Sequence, residues 1–276
     1  MITKRILNRM KSTQHSYEYI RHSIFNSTLP ESVYFYTFHK CASTLFSNYV
    51  LKNIDGLHNV DYASQIYLGR RSARKELTFK EKGFIYGPIR ISADEKGPVG
   101  KTLVKPTIEH DFVRDKIALF FVRDPRDILV SSYYSFGFTH GLSKVPAVRE
   151  RQVARRQVAC ELTLDEYALQ SVERQIKLFS ILYDLSNACE RSKILRYEDM
   201  IDDFDTFAEQ LRRYVSVSDA VIQGCYERTR PKMTEDMTAH RRSGQVQGFR
   251  NKLEEDTIRT LNRKLENILS AFGYEA

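Results

Sequence analysis

The sequence of 276 residues contains no apolar run long enough to cross a membrane and no apolar segment typical of a signal peptide near its start. A membrane-spanning helix needs roughly 18 or more predominantly apolar residues, whereas residues 1–21 are basic and polar. We therefore expect a soluble, cytoplasmic protein without a membrane span.

Cysteine is also scarce, with four residues that lie far apart and form no C-x-x-C pair: Cys41, Cys160, Cys189 and Cys225. No histidine cluster accompanies them, so neither a disulfide framework nor a zinc site is indicated. A reducing compartment fits this pattern, and we expect no metal. Internal repeats, low-complexity tracts and a glycine-rich loop ending in Gly-Lys-Ser or Gly-Lys-Thr are absent as well. The last absence disfavours a nucleoside-phosphate kinase.

Basic residues outnumber acidic ones by 43 to 35, which gives a net charge of +8. Such a balance indicates a phosphate or polyanion partner without distinguishing a nucleotide from nucleic acid or a membrane surface. An ordinary solvated basic surface is the simpler alternative.

The most informative stretch runs from Val33 to Val50, where an aromatic, β-type run gives way to a small polar loop and then to helical apolar spacing. A loop between a strand and a helix offers backbone N–H groups and the positive end of the helix dipole to an anion. Lys40 adds a full positive charge inside this loop. An ordinary β-α turn with an exposed lysine is the alternative.

Similar strand-helix alternation continues along the chain, with strands predicted near 57–62, 84–90, 116–122 and 192–197 and helices predicted between them. This pattern predicts an α/β fold, a mostly parallel central sheet with helices on both faces. Ligands of such sheets bind beyond the carboxyl ends of the strands, where the Lys40 loop and Arg123 both fall. Residues 1–30 are expected to form an arm or helix and residues 31–276 a single domain, with 141–160 an irregular, basic surface segment or lid.

Four stretches together resemble the sulfotransferases that use 3′-phosphoadenosine-5′-phosphosulfate (PAPS). Phe38-His-Lys-Cys-Ala-Ser-Thr-Leu45 resembles their 5′-phosphosulfate loop, whose usual form is Lys-Ser-Gly-Thr-Thr, and Phe121 to Tyr134 is similar to their 3′-phosphate motif. Leu195-Arg-Tyr-Glu-Asp-Met200 and the glycine-punctuated run Arg241 to Arg250 are similar to two further family motifs. The resemblance spans Val33 to about Leu253.

This resemblance implies a P-loop-like, three-layer sulfotransferase fold and transfer of a sulfonate from PAPS to an acceptor hydroxyl or amine. It implies PAPS as co-substrate and adenosine 3′,5′-bisphosphate (PAP) as product, with Lys40 stabilising the charge that grows on the leaving nucleotide. The donor-binding residues that it implies are Lys40, Cys41, Ala42, Ser43, Thr44, Leu45, Arg123, Ser131, Tyr197, Arg241, Arg242 and Gly244. For Arg123 a salt bridge to Asp124 or Asp127 is the alternative, and for Arg241 and Arg242 a solvated loop.

The sequence departs from the family pattern at three points. Cys41 and Ala42 replace a common Ser-Gly, and Gln247-Gly-Phe249 stands where Gly-Asp-Trp is frequent. The strand at 84–90 carries no histidine to act as general base, although the acceptor hydroxyl must lose a proton.

Asp61 is the residue nearest to the carboxylate that carbohydrate-acting relatives use as base. His110 and His140 are rivals, and Asp61 could instead be a solvated or helix-capping carboxylate. Lys40 together with the acidity of the acceptor itself is a further possibility.

The acceptor and the oligomeric state are not encoded in any motif. Basic character favours a carbohydrate or other anionic acceptor over a neutral small molecule. A different class of function, a basic nucleic-acid or polyanion-binding protein with a vestigial nucleotide site, is supported by the net charge and the arginines of 149–156. It lacks the aromatic platform of such binders, so we expect no nucleic acid as partner.

Overall fold

A computed structural model describes residues 29–68, 77, 79–91, 110–230 and 244–276. Five parallel strands form one sheet in the order β2-β3-β1-β4-β5. Their bounds are β1 Val33–Thr37, β2 His58–Val60, β3 Phe84–Arg90, β4 Ile117–Val122 and β5 Arg191–Arg196. The predicted α/β fold with a parallel sheet is confirmed.

Helices cover both faces of this sheet. In chain order they are α1 Ser43–Tyr49, α2 Tyr62–Tyr67, α3 His110–Val113, α4 Pro125–Tyr134, α5 Pro146–Glu161, α6 Leu164–Ala188, α7 Tyr197–Asp202, α8 Phe204–Arg212, α9 Asp219–Thr229 and α10 Glu255–Ala271. Short 3₁₀ turns occupy Leu51–Asn53 and Gly248–Asn251, and a π-helical turn at Ser135–Thr139 continues α4. No helix among the described residues combines the length and the apolar character that crossing a membrane requires.

Aromatic side chains alternate between the two faces of the central strands, as the period of two in a strand requires. On one face Phe35 stacks on Phe46 of α1 with ring centroids 4.8 Å apart. On the other face Phe38, just beyond β1, packs against Phe179 of α6 at 4.5 Å. Both faces are therefore dry, which explains why the central strands read as continuous apolar runs.

The expectation of an irregular segment at 141–160 is wrong, because most of it is the helix α5. Pro146 sits at the first helical position, where its missing N–H costs nothing. The side of α5 that faces the protein carries arginine: Arg156 donates to the carbonyl oxygens of Phe136 (3.5 Å) and His140 (2.5 Å). The fully buried residue of this face is the small Ala159, and the stem of Arg156 lies beside it. The usual apolar period is therefore weak in the sequence.

The expected N-terminal arm lies almost wholly outside the described residues, since the first described residue is Leu29. The division into an arm and one domain stays a prediction.

Candidate functional site

The site predicted from the sequence lies between the carboxyl ends of β1 and β4. From β1 the chain leaves toward β2 on one side of the sheet, and from β4 it leaves toward β5 on the other side. The two following loops therefore diverge and open a crevice above the sheet, the usual ligand position in open α/β sheets.

The loop between β1 and α1 is held in an unusual backbone conformation. Lys40 and Ala42 have φ of 73° and 51°, in the left-handed region that favours glycine, and Cys41 between them is buried. Compact turns of this kind expose successive amides that bind anions. The left-handed backbone also explains the common glycine at the position of Ala42.

The first three residues of α1, which follow this loop, differ in exposure. Ser43 is buried and its Oγ accepts a hydrogen bond from Arg90 Nη2 at 3.3 Å, whereas Thr44 is exposed. Leu45 is half-buried and packs against the core. Arg90 is the last residue of β3, so β3 helps to fix the loop.

Arg123, directly after β4, joins the loop to the rest of the site. Its guanidinium donates to the carbonyl oxygen of Lys40 at 3.3 Å, to that of Gln245 at 3.1 Å and to Asp127 Oδ2 at 3.4 Å. Burial opposes the charged form, but Asp127 and Tyr197 raise the pKa of Arg123 above its ordinary value, so it stays charged. The salt bridge considered from the sequence is therefore present, together with contacts that it would not explain.

Arg123 also has donor capacity left over. Its buried Nε has no hydrogen-bond partner among the described residues. A buried N–H without a partner is costly, and a phosphate oxygen would supply the acceptor.

Tyr197, the first residue of α7, contacts both Arg123 and the segment that begins at Gly244. The Arg123 guanidinium lies 4.4 Å from the centroid of the Tyr197 ring, and the Tyr197 hydroxyl donates to the carbonyl oxygen of Gly244 at 2.7 Å. All four motif stretches thus meet around Arg123. Arg241 and Arg242 lie outside the described residues.

Asp127 and Ser131 occupy successive turns of one face of α4, since they are four residues apart. Besides contacting Arg123, Asp127 accepts a hydrogen bond from the backbone N–H of Phe249 at 3.0 Å. Ser131 is half-buried, and its hydroxyl has no hydrogen bond within the part of the chain described. It lies one turn beyond the Arg123 contact, as the 3′-phosphate motif predicts.

A buried ion pair between Arg126 and Asp124 holds the start of α4 in place. Arg126 donates to both oxygens of Asp124, at 3.0 Å and 2.7 Å, and also to Asn262 Oδ1 and the carbonyl oxygen of Glu275, both at 2.6 Å. The side chains of Arg126 and Asp124 are only 2% and 4% exposed. These hydrogen bonds supply the partners that a buried ion pair needs to offset its loss of hydration.

A second buried carboxyl, that of Glu198, links the same point to the last residues. It accepts hydrogen bonds from the backbone N–H of Asp124 at 2.9 Å and the hydroxyl of Tyr274 at 3.1 Å. Burial raises the pKa of Glu198 to about 7. Glu198 therefore titrates near neutrality.

Asp61, after β2, lies at the same edge of the sheet and caps α2, its Oδ1 accepting from the backbone N–H of Ser64 at 2.8 Å. Burial raises the pKa of Asp61, an effect that the nearby Arg90 opposes. The helix-capping alternative is thus realised, and whether Asp61 also acts as a base stays a prediction.

The two histidines named from the sequence differ in position. His110 begins α3, which precedes the amino end of β4 and lies at the edge opposite the crevice. His140 packs on Phe136 with ring centroids 5.7 Å apart, and Phe136 contacts His39 at 6.1 Å.

Sequence reasoning missed His39, and the signal for it was its place directly before Lys40. Its neighbours Arg90, Phe136 and Arg155 were likewise not singled out, because each comes from a different part of the chain. No group of three or more histidine, cysteine or acidic side chains in the described ranges could hold a metal ion.

No protein-family model and no curated protein matches the chain. Solved structures do match: the crystal structure of mouse sulfotransferase SULT7A1 complexed with PAP aligns with 87% of this chain and 86% of that chain, at 13% identity and a TM-score of 0.53. Retinol dehydratase in a complex with retinol and PAP aligns with 94% and 88%, at 15% identity and a TM-score of 0.46. The crevice between β1 and β4 therefore belongs to a chain with the sulfotransferase fold.

Proposed function

We propose that this protein transfers the sulfonate group of PAPS to a hydroxyl, or an amine, of an acceptor. The observation that carries the proposal is the meeting of Lys40 and Arg123: cationic residues from two separate strand ends lie close enough for one doubly phosphorylated nucleotide to touch both. The mouse sulfotransferase with this fold was solved with PAP bound.

Arg123 and Ser131 are proposed to bind the 3′-phosphate. A phosphate carries nearly two negative charges and is held best by a guanidinium and a hydroxyl donor together. The buried, unpartnered Nε of Arg123 and the Ser131 hydroxyl one turn beyond Asp127 fit this requirement. Tyr197 then acts by holding the backbone at Gly244 beside the nucleotide, while Arg241 and Arg242 would close the same phosphate from the far side.

Lys40 is proposed to stabilise the leaving group. Attack on sulfur breaks the bond to the bridging phosphate oxygen, so negative charge grows on the nucleotide. A lysine ammonium, the turn amides at Cys41 and Ala42, and the hydroxyls of Ser43 and Thr44 would stabilise that charge, and such electrostatic stabilisation is usually the largest catalytic contribution. These groups can supply what a magnesium ion supplies in phosphoryl transfer.

Asp61 was the sequence-based choice for the base that takes the acceptor proton, with His140 as its rival near the crevice. Its carboxylate has one oxygen engaged in the cap of α2 and faces Arg90. Both contacts oppose the rise in the pKa of Asp61 that burial causes. Because the helix cap already occupies one oxygen, a third residue is argued for below.

A carbohydrate is the acceptor class to test first, because the acceptor side of the crevice is cationic, with Arg90, Arg155 and Lys40 acting on His39. The alternative of a polyanion-binding protein receives less support, since Arg156 of the basic helix α5 is engaged with backbone carbonyls. Four free thiols agree with the expectation of a cytoplasmic location.

Binding of PAP, measured by calorimetry, tests the first half of the proposal. Transfer of radiolabelled sulfonate from PAPS to a panel of sugars, phenols and amines tests the second half. Failure to bind PAP would refute the proposal, whereas affinity for heparin or DNA that falls steeply with salt and ignores PAP would favour the binding protein.

A further inference from the structure

His39 lies between the two halves of the site. Phe38 before it is buried against Phe179, and Lys40 after it has a left-handed backbone, so the chain turns sharply at His39. His39 is an exposed residue, and its ring nitrogens make no hydrogen bond to any described residue. Lys40 thus contacts Arg123 through its carbonyl oxygen. The residue before it in the chain, His39, has an imidazole that water and a ligand can reach.

The surroundings of His39 come from three further elements. Phe136, from the π-helical turn after α4, meets the imidazole edge to face, and His140 packs on the same Phe136 ring. The π-helical geometry is frequent at functional sites. The charged and titratable groups acting on His39 are Arg90 at the end of β3, Arg155 on α5, His140 and Lys40.

The protein around His39 is unfavourable for its protonated form. The protein atoms packed around the imidazole and the positive charges of Arg90 and Arg155 hold the pKa of His39 well below its usual value. At neutral pH the imidazole is uncharged, which leaves one nitrogen free to accept a proton.

We propose that His39 is the catalytic base that accepts the proton of the acceptor hydroxyl. This inference rests on the proposed sulfonate transfer. As the acceptor oxygen attacks sulfur, its proton passes to the free imidazole nitrogen and the sulfur bond to the bridging phosphate oxygen breaks. PAP leaves with that electron pair beside Lys40, and the imidazolium then releases its proton to water.

We expect binding of PAPS to raise the proton affinity of His39. PAPS brings several negative charges next to Lys40 and Arg90, two of the groups that disfavour the imidazolium. Neutralising them raises the proton affinity of His39 toward its ordinary value. His39 is therefore a weak base in the free protein and an effective one only after the donor has bound.

Kinetics provide the first test, with water as acceptor (radiolabelled sulfate released from PAPS) and with the best acceptor of the panel. His39→Gln keeps a similar size but cannot take a proton, so kcat falls roughly 100-fold or more, while the dissociation constant of PAP stays within threefold of wild type. Imidazole added to His39→Gly restores part of the rate. His110→Gln, at the opposite edge of the sheet, serves as the matched control and leaves both quantities unchanged.

A spectroscopic test needs no acceptor. With ¹³C-labelled histidine, the His39 signal is assigned by its loss in His39→Gln and followed through pH 5–8 with and without PAP. We expect the apparent pKa of His39 to lie below the ordinary histidine value in the free protein and to rise toward that value with PAP.

Each contrary outcome has a separate meaning. A wild-type protein that binds no PAP refutes the proposed function and this inference with it. PAP binding together with undiminished transfer by His39→Gln, or a His39 pKa that PAP leaves unchanged, overturns the inference alone. Loss of transfer in Asp61→Asn with full activity in His39→Gln would return the role of base to Asp61.

Discussion

The guanidinium of Arg123 and the main chain of Lys40 are hydrogen-bonded, with Arg123 Nη1 lying 3.3 Å from the Lys40 carbonyl oxygen. The residue that we assign to the 3′-phosphate therefore also supports the loop that we assign to the reacting end of the donor. This hydrogen bond therefore links the part of the site assigned to the 3′-phosphate with the part assigned to the sulfonate.

Substitutions of Lys40 and of Arg123 are expected to have different effects. Lys40→Ala abolishes transfer but keeps much of the affinity for PAP, because the lysine acts mainly on charge that develops in the transition state. Arg123→Lys, which keeps a charge but loses the forked donors, weakens PAP binding roughly 10- to 100-fold. Calorimetry with PAP and transfer assays separate the two effects, and the reverse pattern would mean that the roles are exchanged.

Tyr197→Phe removes only the hydroxyl that donates to the Gly244 carbonyl and keeps the ring beneath Arg123. We expect PAP to bind roughly 2- to 10-fold more weakly, which matches the net worth of one hydrogen bond. Tyr214→Phe is the matched control, because the Tyr214 hydroxyl likewise donates to a backbone carbonyl, that of Ser192 at 3.0 Å. Equal losses of affinity in both variants would show that Tyr197 has no particular relation to the site.

Ala42→Gly relieves a left-handed backbone, φ 51°, at a residue with a Cβ. The free energy of unfolding should rise by up to about 1 kcal/mol, because the strain removed exceeds the entropy that glycine adds to the unfolded chain. Ala154→Gly, at an exposed position inside α5, should instead lower it by about 1 kcal/mol. Urea denaturation compares the two, and the same sign for both changes would contradict a strained Ala42.

Glu198 makes stability depend on pH in a direction opposite to most carboxyls. Its pKa is raised by burial to about 7 in the folded protein, from the ordinary 4.5. Its contribution to stability is therefore full below the unfolded value and is lost as pH rises toward and through 7. In Glu198→Gln the amide oxygen can still accept from the Asp124 N–H while the amide nitrogen donates to the Tyr274 hydroxyl. This variant should flatten the loss and exceed wild type at pH 8 by up to about 3 kcal/mol.

Urea denaturation at pH 5 and pH 8 measures that difference. Glu209→Gln, which removes an exposed partner of Arg213, is the control and should shift stability by less than about 1 kcal/mol at both pH values. A Glu198→Gln variant that parallels wild type across this range would show that Glu198 does not titrate there.

The sheet could be predicted because its central strands are buried on both faces, so β3 and β4 appear in the sequence as apolar runs that end where the strands end. The edge that carries the site followed from parallel topology alone. Helix α5 was missed because Arg156, bonded to carbonyls of the preceding turn, occupies a position where an apolar residue would have marked a helix.

Individual side-chain roles were harder to predict, since they depend on contacts between distant parts of the chain. Asp61 read equally well as a base and as a cap until its bond to the Ser64 N–H was known. His39 stands out only when Arg90, Phe136 and Arg155 are brought around it, and these residues lie about 50 to 115 positions further along the sequence.

The contacts that hold the start of α4 have a practical consequence for handling this protein. Arg126 donates to the carbonyl oxygen of Glu275, and Glu198 accepts from the hydroxyl of Tyr274. These residues therefore support the start of α4, the helix that carries Asp127 and Ser131. Trimming Tyr274 to Ala276 would leave a buried guanidinium and a buried carboxyl each short of a contact. An affinity tag should therefore not replace these residues.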